Sequence, residues 1–432
     1  MVPKVGDLVA IAILTVIFFK HFKEVCGQRD NLKQFQNIIR DTAKGKMGNF
    51  IIQYPQRKSN VRHQPYIPNS VPFPCSNVTK YGLGRSRSVP TSVHQLLPGD
   101  IDIIGALGDS LVAGNGAMEE YALGTLIEHR GVSWCAGGEG TWREYLTLPN
   151  ILKEFNPNIR GYSTGPGEFL SLNSKLNVAF PVAADADALR QAKILVNKLK
   201  SSPNMDIKRD WKMITLFFGA NDLCSAQCYN KEAASASSHA KKLARALDYL
   251  QENLPRTFVN LVPVLDVSVS LRIKRTLTCR FLHRLFCECF HRGGNEMNVI
   301  TSLTKAYQQA EEELILSGRY DQKEDFTVVL QPFMKLFNAP EDPRHKFDEV
   351  IDISYITHDC FHFSQKGHAL AANMLWNNLL EPVGRKSTRK LNHVMEKFRC
   401  PQSHSPYLFT NRNSKIFLET GKQLINQIVF KN

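Results

Sequence analysis

Short apolar runs, rich in β-branched and aromatic residues, alternate along the middle of this chain with segments in which Leu and Ala recur every three or four positions. Ile101–Leu107 (IDIIGAL), Met213–Phe218 (MITLFF), Phe258–Val264 (FVNLVPV) and Phe326–Leu330 (FTVVL) are followed by Gly, Pro, Asn or Asp and predict buried strands. The spacing over Ala183–Lys200, His239–Asn253 and Gln365–Leu380 predicts helices between and after them. Strands alternating with helices imply an α/β fold whose mostly parallel sheet is covered on both faces. In such sheets ligands gather at the carboxyl ends of the strands, so the chemistry is expected just after each run.

The two ends break this pattern. Leu8–Phe19 (LVAIAILTVIFF) is a short apolar core behind Lys4, and residues 1–27 read as a secretory signal with Val25-Cys26-Gly27 near its cleavage point. An uncleaved membrane tether is the alternative, although no apolar run reaches the ~18 residues of a full span. Residues 28–95 form a basic extension with Pro65, Pro68, Pro72, Pro74 and Pro90, a composition that suits a linker, a propeptide or a strap lying on the domain, and residues 387–432 form a basic tail, leaving 96–386 as the domain. The net charge of +14 sits at these ends: residues 1–100 hold 14 Lys/Arg against 5 Asp/Glu, and 101–384 hold 30 against 33. A nucleic-acid enzyme carries its positive stripe on the folded domain, so that class is set aside. The basic ends suit either solvated charge or attraction to an anionic surface.

Secretion gives meaning to two further features. Asn77-Val78-Thr79 is a glycan acceptor triplet. Ten cysteines suit disulfides in an oxidising compartment, and loss of Cys26 leaves nine, so that one thiol stays unpaired or bonds elsewhere. The pairing does not follow from spacing. A zinc set of Cys224, Cys228, Cys287 and Cys289 is the competing use of four of them.

Three blocks follow the strands. Gly108-Asp109-Ser110-Leu111 places a serine on a strand-to-helix turn, where backbone N–H groups can stabilise nearby negative charge. Asp109 and Ser110 could equally be helix caps. Gly219-Ala220-Asn221-Asp222 offers the Asn221 amide to the same site, or an ordinary Asx turn. His358-Asp359-Cys360-Phe361-His362 supplies an imidazole that can take the serine proton and a carboxylate to orient it. A metal site from His358, Asp359, His362 and His368 is the alternative, without a zinc spacing such as HExxH.

With these blocks, and with PTSVHQLLPGD (90–100), GVSWCAGGEGTWREYLTLPNILKEFNP (131–157), DWKMITLFFGANDLC (210–224), SGRYDQKEDFTVVLQ (317–331) and LWNNLLEPVG (375–384), the chain resembles the SGNH (GDSL) hydrolases of the eukaryotic phospholipase B type over roughly 65–386. The resemblance implies a three-layer α/β/α, flavodoxin-like domain and hydrolysis of fatty-acyl esters of phospholipids and lysophospholipids at a membrane or micelle surface, without a metal or other cofactor. It assigns Ser110 as nucleophile, His362 as base and Asp359 as orienting acid, with an oxyanion hole of Asn221 and the Ser110 backbone N–H. In the family segment LNVAxxGA, Val182 of Leu176–Ala183 stands where the oxyanion glycine is expected. A β-branched side chain resists positive φ and crowds the site, and a lost donor costs about 3 kcal/mol. Two other functions therefore stay open: a different ester or thioester hydrolase, and a lipid binder with a closed oxyanion hole. Phe180, Phe281, Leu285 and Phe286 are apolar candidates for the mouth of the site.

Overall fold

The computed structural model describes residues 61–81, 84–272, 277–291, 296–338 and 352–429; residues 1–27 and the side chains of Leu285 and Phe286 lie outside them. Four strands, β1 (Ile103–Gly108), β2 (Lys212–Phe217), β3 (Thr257–Leu261) and β4 (Phe326–Leu330), pair in parallel in the order β1-β2-β3-β4. Ile103 is in register with Lys212, Lys212 with Thr257, and Thr257 with Phe326. The free edge of β1 is covered by an irregular extended segment. Ile104 N–H donates to Arg160 O at 2.9 Å, Ala106 N–H to Leu176 O at 3.0 Å, and Val178 N–H to Ala106 O at 2.9 Å. With that segment counted, β1 is interior and the order is that of a flavodoxin-like sheet.

All strand residues are buried, which explains why they read as continuous apolar runs. Their alternate side chains nonetheless enter different layers. Ile104, Ala106, Met213, Phe217, Phe258 and Val329 pack with Leu148, Ile151 and Leu152 of α2 (Leu148–Lys153) and with α7 (Gln365–Leu379). Ile103, Leu107, Ile214, Leu216, Val259 and Val328 pack with α3 (Ala188–Ser201) and α4 (Ala236–Asn253). In α3 the apolar stripe Ala188, Ala192, Leu195, Val196, Leu199 has the spacing of a helix buried on one face. Two helices absent from the sequence reading also occur, α5 (Leu277–Phe286) and α6 (Glu296–Leu316), as does the terminal α8 (Asn411–Val429).

α7 is capped by Ser364, whose hydroxyl accepts from Gly367 N–H at 3.1 Å. Gly367 permits the close approach of this turn to the preceding loop, because a Cβ would lie 2.1 Å from Tyr355 O. The helix is buried all round. One side meets the sheet, and the other is covered by the described parts of the two basic ends. Trp376 Nε1–H donates to Arg399 O at 2.7 Å, Asn373 Nδ2–H to Val394 O at 2.7 Å, and Arg399 N–H to Asn377 Oδ1 at 2.9 Å. Phe73 from the N-terminal segment stands edge-on to Trp142, Phe155 and Phe398. Leu391, Val394 and Leu408 join the same core, and Leu408 N–H donates to Leu96 O at 2.8 Å. The described parts of the extension and tail thus close one face of the domain, the placement of a strap and not of freely solvated charge.

Cys75–Cys400 ties these two ends together across 325 residues, and Cys224–Cys287, Cys228–Cys289 and Cys279–Cys360 complete the described disulfides. These pairings overturn the zinc alternative, since all four of its thiolates are consumed in disulfides. Cys135 is the buried free thiol among the described cysteines. Replacing Cys75 and Cys400 together by Ser frees both ends in the unfolded chain and is expected to lower unfolding free energy by about 2–5 kcal/mol, read from urea denaturation. An unchanged midpoint would show that packing alone holds the ends.

Candidate active site

β1 runs into a turn that is already a helix start. Asp109 is the N-cap of α1 (Ser110–Ala113), and its Oδ1 accepts from Leu111 N–H at 2.9 Å. Its other oxygen has no hydrogen-bond partner among the described residues, and burial pushes the carboxyl up to about 7. Asp109 is therefore a helix cap, whereas Ser110, which the cap reading also included, is the first residue of the helix, at the carboxyl end of the strand.

The structure brings Ser110, His362 and Asp359 together. Ser110 Oγ lies 2.8 Å from His362 Nε2, and His362 Nδ1 lies 2.5 Å from Asp359 Oδ2. Asp359 Oδ1 accepts from the backbone N–H groups of Phe361 at 2.9 Å and His362 at 3.1 Å and from the hydroxyl of Thr357. Burial alone would raise this carboxyl. The charge of His362 and the bonds from His362, Thr125 and Thr357 outweigh it and hold Asp359 well below the ordinary carboxylate range. An anion there fixes the imidazole with its Nδ1–H inward, which leaves Nε2 free to accept the serine proton. Two histidines of the metal alternative remain: His358 is half-buried, with burial pushing its imidazole down, and His368 is buried, pushed down to about 3 by that burial, and accepts from Trp134 N–H at 3.3 Å.

Thr125 escaped the sequence reading. Its hydroxyl donates to Asp359 Oδ2 at 2.5 Å and lies 3.0 Å from His362 Nδ1. Asn115 Nδ2–H holds the Thr125 carbonyl at 2.9 Å, and Gly116 N–H to Ile127 O at 2.8 Å closes the excursion that carries it. Nothing in its local pattern marks it, since its partner is 234 residues away.

Asn221 follows β2 and is half-buried, and its Nδ2–H donates to Ala183 O at 2.9 Å. That bond ties Asn221 to the segment holding Val182. Contrary to the expected resistance, Val182 adopts φ 58°, the glycine-like left-handed region, and remains 60% exposed. The side chain therefore stands largely in solvent instead of filling the site. Neither the Ser110 nor the Val182 backbone N–H donates to a described protein acceptor. Buried Arg130 anchors the approach to this segment: its guanidinium donates to Asn177 O at 3.1 Å and Ala179 O at 2.7 Å. Of the apolar mouth candidates, Phe180 is buried beside Phe169 in the α3 layer, while Phe281 on α5 is exposed.

A serine, an imidazole and a carboxylate in series, beside free N–H donors at the carboxyl edge of a parallel sheet, form the constellation of acyl-transfer enzymes that work through a covalent ester. The chain belongs to the GDSL-like Lipase/Acylhydrolase family, whose model matches residues 104–375. It is 41% identical over 414 residues to mouse "Phospholipase B1, membrane-associated", covering 93% of this chain and 28% of that protein. To the rat and human proteins of the same name it is 41% identical over 347 residues and 40% over 341, covering 79% and 78% of this chain and 23% of each of them. The chain thus spans about a quarter of the length of these curated relatives.

Because hydrogen bonds to charged groups contribute about 1.5–3 kcal/mol, Thr125→Val should slow phosphonylation of Ser110 by a fluorophosphonate about tenfold or more. Labelling rates followed by mass spectrometry test this, and a wild-type rate would remove Thr125 from the site.

Proposed function

We propose that this chain is a secreted carboxylic-ester hydrolase that cleaves fatty-acyl esters of phospholipids and lysophospholipids through an acyl-serine intermediate. The observation that carries the reading is the 2.8 Å contact of Ser110 Oγ with an imidazole backed by Asp359. Ser110 Oγ bonds to the ester carbonyl carbon while its proton passes to His362 Nε2. The resulting oxyanion is received by the Asn221 amide and the backbone N–H groups of Ser110 and Val182. As the tetrahedral centre collapses, the ester C–O bond breaks and His362 returns the proton to the departing alcohol. Water, deprotonated by His362, then releases the fatty acid and restores Ser110.

The phospholipid substrate is supported by the similarity to phospholipase B1 proteins, and a membrane or micelle surface is where such substrates reside. Four disulfides suit an oxidising compartment. Asn77, exposed on the short helix Ser76–Lys80, is accessible as the glycan acceptor there. Among the described residues no helix is long and apolar enough to cross a membrane.

Two measurements test this reading. Ser110→Ala should reduce lysophosphatidylcholine hydrolysis by at least about a thousandfold with the protein still folded, since the covalent route is lost; residual wild-type turnover would refute it. Val182→Gly should leave kcat within about threefold of wild type, because the valine already presents its N–H from the left-handed conformation. A tenfold gain would instead mean that the side chain obstructs the oxyanion site.

A further inference from the structure

Behind the two loops that carry Val182 and Asn221 lies a buried ionic cluster that the reaction above does not use. His239 of α4 is fully buried beneath the turn that follows β2. Gly219 sits there at φ 116°, and a Cβ on it would stand 3.3 Å from His239 Cε1. His239 Nδ1 lies 3.1 Å from Asp185 Oδ2, and Nε2 lies 3.2 Å from Glu311 Oε1 of α6. Lys242 Nζ, one turn further along α4, donates to Asp185 Oδ1 at 2.7 Å. The Asp185 backbone N–H donates to Asp222 Oδ2 at 3.0 Å. Tyr307 of α6 stacks on the imidazole with ring centroids 4.1 Å apart and donates its hydroxyl to Ala234 O at 2.7 Å.

With both carboxyl groups ionised, each ring nitrogen faces an acceptor and donates an N–H, so the geometry favours an imidazolium. Burial opposes that charge, but the hydrogen bonds that His239 donates to Asp185 and Glu311, with the nearby Asp222, lift it to about 9. A buried ionic cluster is a poor source of net stability compared with apolar packing of the same volume. What it supplies is direction, and its bonds converge on the oxyanion segments. Asp185 is two residues beyond Ala183, whose carbonyl holds Asn221 Nδ2. Asp222 is the residue after Asn221.

We propose that His239 is a positioning residue for the oxyanion hole: its cation fixes Asp185, and through Asp222 it locks the Val182–Asp185 and Asn221–Asp222 segments in the relative placement their donors need. This rests on the acyl-serine reading. Donors aimed at an oxyanion act in the transition state, so misplacing them lowers kcat and leaves KM nearly unchanged.

The test uses p-nitrophenyl butyrate, with kcat expressed per serine labelled by a fluorophosphonate run to completion. His239→Gln should lower kcat at least tenfold with KM within about twofold of wild type. Wild-type kcat should also fall as pH rises through about 9, where the imidazolium is lost. In Glu311→Gln, which keeps an acceptor but removes a charge that favours the cation, that fall should move to lower pH. Full kcat in His239→Gln, or an alkaline limb that Glu311→Gln does not move, overturns the proposal. The second measurement decides alone if His239→Gln does not fold. A wild type that is neither labelled nor active would remove the acyl-serine reading first, and this inference with it.

Discussion

The carboxylate of Asp359 accepts five hydrogen bonds, from the Thr357 and Thr125 hydroxyls, the Phe361 and His362 N–H groups, and His362 Nδ1. A buried anion is tolerated only when its lone pairs are satisfied, and these partners can be supplied in one loop conformation. That conformation turns His362 Nε2 toward a hydroxyl 252 residues earlier in the chain. The same loop is held from outside. Cys360, between the acid and the imidazole, is bonded to Cys279 of α5, and His283 Nε2 lies 3.0 Å from the Asp359 carbonyl. The site is thus built around one charge, and the neighbouring structure supplies its donors.

The fold brings these pieces within reach by a simple geometric rule. In a parallel sheet every strand ends on the same edge, so the residues after β1 and β2 and the loop before α7 converge without any strand having to bend. Their precision comes from secondary supports. The 114–129 excursion delivers Thr125, Arg130 holds the strand-like segment before Val182, and the disulfides of Cys224 and Cys228 tether the chain just beyond Asn221 to the α5 region. The described parts of the basic ends belong to this scaffold as well, because they cover the far side of α7, whose first turn begins two residues after His362.

Much of this was legible in the sequence, and for identifiable reasons. Strands buried on both faces leave an uninterrupted apolar run, so the predicted Met213–Phe218 lies one residue from the observed β2 at each end, and Phe258–Val264 lies within three residues of β3. Ser110, Asn221, Asp359 and His362 stand in short blocks directly after strands or ahead of a helix, where residue type and position coincide. What escaped has no local signature. Thr125 and His239 are ordinary residues until distant carboxylates meet them. The mixed composition of α6 hides a helix that bridges both layers, with Tyr307 in one core and Ile315 in the other. Disulfide partners depend on loop placement, not spacing. Charge counts alone could not show that Phe73, Leu391 and Leu408 interrupt the basic ends with core residues.

The central claim, that Ser110 and the three N–H donors form one acyl-transfer site, is tested most directly by a crystal structure of the fluorophosphonate adduct. The account predicts phosphorus bonded to Ser110 Oγ, with its phosphoryl oxygen about 2.7–3.1 Å from the Ser110 and Val182 backbone nitrogens and Asn221 Nδ2. An adduct whose oxygen turns to solvent, or a serine left unmodified, would contradict it.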